Sequence, residues 1–140
     1  MSLSIYQRHL DTIPKQYQLL KLFRPPIYVI ELSNNQVSSV CYYKDGSSKR
    51  HQVNAAFSNR RMVIADFLPA LQAMTDLLLK FPKHPFGISS FAVVNVAEEL
   101  IDGLTMIEIK AIREAVWAAS GQAKRRIVSS TVNYQGQVVS

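Results

Sequence analysis

The clearest pattern of apolar and polar positions lies in residues 104–121, and it predicts an amphipathic helix. Apolar side chains recur at spacings of three, four and three: Ile109, Ile112, Val116 and Ala119. Thr105 and Glu108 have the spacing of a capping box, in which each side chain satisfies a free amide of the first turn. Gly121 is expected to end the helix, because a left-handed residue is favoured at that point.

A second apolar stripe follows Asp66 and predicts a helix over residues 68–81. Its members are spaced by four, three, four and three residues: Phe67, Leu71, Met74, Leu78 and Phe81. Pro69 is compatible with a helix only in the first turn, and Pro82 cannot continue one. Both prolines therefore support the same boundaries.

Runs of β-branched and aromatic residues predict five strands. They are residues 27–33, 37–43, 91–96, 126–131 and one run within 50–57. The first two are joined by a turn at Asn34-Asn35 and should form a hairpin. The strands at residues 91–96 and 126–131 flank the capped helix, so they should be parallel and mostly buried. The tail, residues 132–139, either extends the last strand or forms a short hairpin around Gly136.

The predicted order of elements is β-β-β-α-β-α-β, which is an antiparallel meander followed by helix-crossed parallel strands. We therefore predict an α/β fold with a five-stranded mixed sheet, in the arrangement of the ribonuclease H-like fold and of the first large subdomain of actin-like ATPases. The 140 residues suffice for one domain with a buried core. We assign that domain to residues 27–140 and an N-terminal extension to residues 1–26.

The extension contains a short basic and amphipathic segment that ends at Pro25-Pro26. Its basic and apolar members are Lys15, Leu19, Leu20, Lys21, Leu22, Phe23 and Arg24. One interpretation is a helix that packs on the edge of the domain. The other is a helix that binds a membrane surface or a protein partner, since basic and apolar faces together suit that role.

Charge and cysteine content narrow the function classes only a little. The net charge of +6 comes from scattered small clusters, which suit either a solvated surface or an anionic partner. Cys41 is the single cysteine, so we expect a small core residue in a reducing cytoplasm. No signal-peptide pattern and no membrane-spanning apolar run is evident, so a cytoplasmic location is expected. The histidines are widely separated, and no zinc site is predicted.

Four segments resemble the MreB family of bacterial actins, which determine rod shape. Residues 62–67 (MVIADF) resemble the family's GVIADF segment, which also leads into an amphipathic helix. Residues 104–115 resemble its TxVERRAIRESA helix, and residues 118–127 are similar to the GAGAREVYL that follows. Residues 21–24 are similar to the family's basic, amphipathic start. The resemblance covers residues 21–131 and implies an actin-like fold.

The departures from that family predict that nucleotide binding is lost. The resemblance implies a phosphate loop, Asp-Leu-Gly-Thr, where this chain has Glu31, Leu32, Ser33 and Asn34. Ser33 replaces the glycine that lets the backbone approach a phosphate closely. The family's Glu-Glu-Pro after the fifth strand has no counterpart carboxylate in residues 129–134, and the sequence lacks the family's second half. We expect no ATP hydrolysis, no nucleotide and no other cofactor.

One enzyme alternative, a metal-dependent nuclease, remains open from the sequence. Ribonuclease H-like nucleases place metal-binding acids on the first strand and at the end of the fourth, where this chain has Glu31 and Glu98, followed by Glu99 and Asp102. Two metals on such acids could cut a phosphodiester. These acids also fit ordinary charges ahead of a helix N-terminus. No aromatic and basic pattern of a nucleic-acid-binding module is evident, so nucleic acid is not an expected partner.

The resemblance and its departures together predict a non-catalytic, MreB-like protein that acts by binding other proteins. The expected partner is a bacterial actin, a related cell-shape component or a second copy of the chain. The alternatives are a metal-dependent nuclease that uses Glu31 and Glu98, and an adaptor held at the inner membrane surface by residues 15–24.

Overall fold

One β-sheet of six strands organises the computed structural model, which describes residues 3–59, 62–98, 100 and 103–139. The strands are β1 (Ile27–Ser33), β2 (Gln36–Tyr42), β3 (Ser48–Asn54), β4 (Ser90–Val96), β5 (Ile127–Tyr134) and β6 (Gln137–Val138). Their order across the sheet is β3-β2-β1-β4-β5-β6. The meander β1–β3 is antiparallel, and β4 and β5 run parallel to β1.

The α/β class is confirmed, but the prediction of five strands was wrong. The sixth strand, β6, is only two residues long and pairs antiparallel with the end of β5. The turn between them holds Gln135 and Gly136 at positive φ values of 51° and 78°. Such a short strand carries too few residues to show an alternating pattern, so the sequence left open both an extension of the last strand and a short hairpin around Gly136.

Four α-helices accompany the sheet in the described part of the chain. They are α1 (Leu3–Asp11), α2 (Gln18–Leu22), α3 (Phe67–Leu79) and α4 (Met106–Ala123). Short 3-10 turns lie at Lys15–Tyr17 and Pro85–Gly87. The helices α3 and α4 pack on each other and on one face of the sheet, where the main core lies. Six members of the two predicted apolar stripes are buried in that core: Leu71, Met74, Leu78, Ile109, Ile112 and Val116. Phe67, the first member of the α3 stripe, is 37% exposed, because it lies at the very start of the helix.

The start of α4 agrees with the sequence prediction, but its end does not. The Thr105 hydroxyl accepts a hydrogen bond from the amide of Glu108 at 3.2 Å. The helix continues through Gly121 to Ala123, and Lys124 rather than glycine takes the left-handed conformation, with φ 57° and ψ 32°. The amides of Lys124 and Arg125 then donate to the carbonyls of Gly121 and Ser120 at 3.3 and 3.1 Å. This pair of bonds closes the helix end in a Schellman motif.

The opposite face of the sheet is partly covered by α1, which the sequence pattern did not predict. Tyr6 and Leu10 form a second apolar cluster with Ile27 of β1 and Phe91 of β4. The Tyr6 hydroxyl donates to the Pro25 carbonyl at 2.7 Å. Burial, the larger effect, raises the pKa of Tyr6 to about 12 although the nearby Arg24 acts in the opposite direction. The N-terminal segment is therefore tied to the sheet.

Candidate functional site

The candidate site lies at the edge of the sheet where the parallel strands end. In a parallel arrangement the carboxyl ends of neighbouring strands meet, and ligands of open α/β sheets commonly bind there. Here β1 ends at Ser33, β4 ends at Val96 and β5 ends at Tyr134. The hydroxyl of Tyr134 accepts a hydrogen bond from the amide of Leu100 at 3.0 Å, which fixes the chain after β4 against the end of β5.

The turn between β1 and β2, where the sequence resemblance implied a phosphate loop, is held by its own side chains. Asn35 is in the left-handed region, with φ 55°, a conformation that asparagine tolerates better than most residues. Its side-chain oxygen accepts hydrogen bonds from the amides of Phe57 and Ser58 at 2.9 and 2.8 Å. Its own amide donates to the Ser58 hydroxyl at 3.0 Å. The turn is therefore fixed to the chain that follows β3.

The amide of Asn34, in the same turn, already has an anionic partner. It donates a hydrogen bond to Oε1 of Glu98 at 3.0 Å. The two residues are 64 positions apart, and the sheet joins them because β1 and β4 are parallel neighbours. In a phosphate loop the backbone amides point at phosphate oxygens. Here the amide of Asn34 is paired instead with a carboxylate of the same chain.

The structure places Glu31 away from that contact. Glu31 is exposed on β1, on the face of the sheet opposite α3 and α4, so its side chain reaches solvent. Its register neighbour on β4 is Asn95, whose side-chain oxygen accepts a hydrogen bond from Nδ2 of Asn133 at 3.0 Å. The neighbouring polar groups are therefore amides, not carboxylates.

The acids of the nuclease alternative do not assemble into a described metal site. Among the residues that the structure describes, no group of three or more histidine, cysteine, aspartate or glutamate side chains could hold a metal ion. Glu98 is engaged with the Asn34 amide. Glu99 and Asp102, the other two acids named for this role, lie outside the described residues. The nuclease hypothesis therefore gains no support from the described geometry.

The basic, amphipathic segment forms the 3-10 turn Lys15–Tyr17 and helix α2 at one end of the sheet. Leu20 packs against the α1 cluster together with Tyr17. The other apolar members remain exposed: Leu19 by 77%, Leu22 by 75% and Phe23 by 61%. The cations Lys15 and Arg24 are also exposed, and Lys21 is half-buried. The sequence predicted the composition of this surface but not that Leu20 is the leucine that is partly buried.

A groove adjoins the same segment. It has a volume of about 450 Å³ and is lined by Phe23, Arg24, Lys49 and Phe86, among others. Phe86 is fully exposed and has a positive φ of 55°, which is rare for an aromatic residue. No helix in the described part of the chain is both long and apolar enough to cross a bilayer. Exposed aromatic and basic side chains therefore coincide at this end of the molecule.

The sequence pattern did not predict a buried polar pair, Tyr28 and His84, on the side of the sheet that carries the main core. The Tyr28 hydroxyl lies 2.8 Å from Nε2 of His84, and Nδ1 of His84 lies 2.8 Å from the Ile88 carbonyl. A neutral imidazole satisfies both contacts when Nδ1 donates to the carbonyl and Nε2 accepts from the hydroxyl. Burial lowers the pKa of His84 and raises the pKa of Tyr28, so both groups stay neutral near pH 7.

The depressed pKa of His84 predicts a loss of stability in mild acid. Below the ordinary histidine pKa of 6.5, His84 becomes protonated in the unfolded chain but stays neutral in the folded chain until a lower pH. The free energy of unfolding should therefore fall as the pH drops from 7.5 to 5.5. His9 has a pKa lowered by burial and by Arg8, so it contributes in the same direction.

Urea unfolding of the wild type, His84→Gln and His9→Gln at both pH values separates the two contributions. We expect His84→Gln to reduce the difference between the two pH values and His9→Gln to retain the part that belongs to His84. An unchanged pH dependence in His84→Gln would show that His84 is not the buried neutral group.

Comparisons with known proteins add a distant likeness. No family model matches the sequence, and no curated protein matches it. Among solved structures, the chain is similar to the ethanolamine utilization protein EutJ from Carboxydothermus hydrogenoformans, with 12% identity and a TM-score of 0.47. The match covers 83% of this chain and 50% of that one, so the chain spans about half the length of EutJ. At this level of similarity, inference about function has to come from the chain's own geometry.

Proposed function

We propose that this protein is a non-catalytic, actin-like protein of the MreB type that acts by binding a protein partner in bacterial cell shape or the cytoskeleton. The observation that carries the proposal is the hydrogen bond from the Asn34 amide to Glu98, at 3.0 Å. A phosphate entering this turn would have to displace a carboxylate of the same charge sign. Ser33, in place of glycine, adds a side chain where a phosphate oxygen would approach.

The fold supports the actin-like part of the proposal. An antiparallel meander leads into two parallel strands, with both crossover helices on one face, which is the arrangement that the family resemblance implies. The binding part is supported by large apolar side chains that remain exposed on α2 and α4, including Leu22, Met106 and Trp117. Exposed apolar surface of this kind commonly marks an interaction site.

Co-sedimentation with purified MreB filaments tests this function. We expect the protein to pellet with the filaments in a saturable manner and to stay in solution without them. Phosphate release from ATP, measured on the protein alone, should equal that of the buffer. Saturable turnover that requires Mg²⁺ and is lost in Glu31→Gln would contradict the non-catalytic assignment, and an absence of co-sedimentation would contradict the choice of partner.

A second candidate, an adaptor at an anionic membrane surface, is favoured by the exposure of Leu19, Leu22 and Phe23 beside Lys15 and Arg24. Apolar side chains can enter the headgroup region while cations attract anionic lipids. Burial of these apolar side chains would have indicated a purely structural segment. Leu20 is partly buried, and none of the residues of α2 is fully buried.

Flotation with liposomes that contain anionic lipid tests the membrane candidate. We expect binding that weakens as salt rises from 50 to 500 mM, because salt screens surface charges. The double variant Leu19→Gln, Leu22→Gln should lose binding, whereas a matched pair on α4, Ile107→Gln and Met106→Gln, should not. Equal binding by both double variants would exclude this segment as the membrane contact.

A further inference from the structure

We propose that the outer edge of β5, together with the groove beside it, binds an extended peptide of alternating acidic and apolar residues as an additional strand of the sheet. This inference rests on the proposed binding function and names the chemistry of the partner. Its evidence is independent of the Asn34–Glu98 contact, because β5 supplies the edge and α4 supplies the side chains.

The first observation is a strand edge that the protein covers only in part. β6 pairs with Asn133 and Tyr134, and the amide of Val139 donates to the Val132 carbonyl at 2.9 Å. Earlier in β5, residues 127–131 pair with β4 on one side and have no strand on the other among the described residues. Five residues of strand span roughly 16 Å, which is enough for a short peptide.

The main-chain groups at this edge point outward at alternate residues. Because the Val132 carbonyl accepts from Val139 at the outer edge, the amide and carbonyl of Ser130 point to that same edge. Within the described part of the chain, no hydrogen bond is present for these Ser130 groups. Strand addition to such an edge supplies main-chain hydrogen bonds irrespective of the peptide's sequence.

The second observation is an apolar groove that follows the same edge. It has a volume of about 850 Å³ and is lined by the first residues of β5 and by one side of α4. Two large apolar side chains of α4 project into solvent there: Ile107 is 77% exposed and Trp117 is 72% exposed. Tyr17 lines the groove from the α1 side of the sheet. An added strand would therefore find apolar contacts on both of its faces.

The third observation is the charge around the groove, which selects the partner. Lys110, Arg113 and Glu114 line it and are exposed, and Lys124 and Arg126 are exposed just before β5. Two cations and one acid therefore line the groove, and two further cations lie just ahead of the strand that borders it. No ion pair is present for Lys110 or Arg113 among the described residues. Carboxylates on an incoming strand could pair with these cations, so an acidic peptide is complementary to this surface.

The same charges argue against a second copy of the chain as the occupant. Two copies that joined their β5 edges about a two-fold axis would present the same surface to each other. Lys110, Arg113 and Arg126 of one copy would then share an interface with their equivalents in the other. Like charges placed together in an interface are unfavourable, whereas an acidic strand removes that repulsion.

The test uses a fluorescein-labelled heptapeptide in which glutamate alternates with valine, and a control peptide with lysine in place of glutamate. Fluorescence anisotropy should show saturable binding of the acidic peptide, at least ten-fold tighter than the basic one. Charge reversal by Arg113→Glu should weaken the acidic peptide by a similar factor. Wild-type protein that binds both peptides equally, or neither, would overturn the proposal.

Ser130→Pro tests the strand addition itself. Proline removes the outward amide and places its ring at the edge, while the hydrogen bonds to β4 belong to the neighbouring residues. Ser130→Ala keeps the amide and is the matched control. We expect Ser130→Pro to lose binding of the acidic peptide and Ser130→Ala to retain it. Equal binding by the two variants would contradict strand addition.

Two further measurements make each result decisive. If Ser130→Pro shows no cooperative unfolding, Trp117→Ala replaces it, because this exposed side chain can be truncated without disturbing the core. An affinity of Trp117→Ala for the acidic peptide equal to that of the wild type would overturn the role of the groove. A labelled decathymidine that binds more tightly than the acidic peptide would assign the surface to single-stranded nucleic acid and overturn the proposal. Failure of the peptide to bind leaves the filament and ATP experiments unaffected, so the two proposals fail separately.

Discussion

Truncation of Ile112 to alanine is expected to lower the free energy of unfolding by about 2–5 kcal/mol, the usual range for a large-to-small change in a core. Ile112 lies in the middle of α4 and is 1% exposed, within the main core between the helices and the sheet. Its truncation leaves a cavity that the surrounding α3, α4 and β-strand side chains can fill only in part. Urea unfolding measures the loss.

Ile107→Ala is the matched control for this experiment. It removes the same atoms from the same helix, but Ile107 is exposed, so its truncation should change the free energy of unfolding by less than about 0.5 kcal/mol. Equal losses in the two variants would mean that α4 does not present the Ile112 side to the sheet.

Replacement of Arg125 by methionine should be similarly damaging, with a loss of roughly 3–5 kcal/mol. Arg125 is buried at the ends of α3 and α4. Its Nε and Nη2 donate to the Phe81 carbonyl at 3.2 and 2.9 Å, and its Nη1 donates to the Ala123 carbonyl at 2.6 Å. The carboxyl ends of helices carry partial negative charge, so the guanidinium stabilises both ends at once.

The loss arises because methionine fills the space but leaves these carbonyls without donors. Arg125→Lys should fall between the wild type and methionine, since a compact ammonium cannot reproduce the planar arrangement of donors. Arg126→Met is the control, because Arg126 is exposed and should contribute within about 0.5 kcal/mol. A methionine variant at position 125 as stable as this control would refute the bridging role.

Ile112 and Arg125 also show what the sequence could and could not predict. Ile112 belongs to a regular apolar stripe, and periodicity alone identifies the buried side of a helix. Arg125 lies in a run of three cations that resembles a solvated surface. Its burial depends on carbonyls from two helix ends that meet only in the folded chain. The prediction that Gly121 ends the helix was wrong for a related reason. Hydrogen bonds at the helix end favour Lys124 in the left-handed conformation.

The candidate site was predictable in its residues but not in its contacts. The sequence singled out Glu31, Ser33, Asn34 and Glu98, but it did not indicate that Glu98 would accept from Asn34. That contact requires the strand order, which places the end of β4 beside the turn after β1. Helix α1 was missed because it is short and amphipathic, and its apolar side chains gain a partner only when the sheet has formed.

Isothermal titration with Mg-ATP tests the central claim most directly, because the claim is that the turn after β1 does not receive a phosphate. We predict no saturable heat for the wild type at ATP concentrations up to the millimolar range, since Glu98 already occupies the Asn34 amide and Ser33 replaces glycine. A micromolar dissociation constant that Glu31→Ala abolishes would contradict this account and would favour an enzyme with an intact nucleotide site.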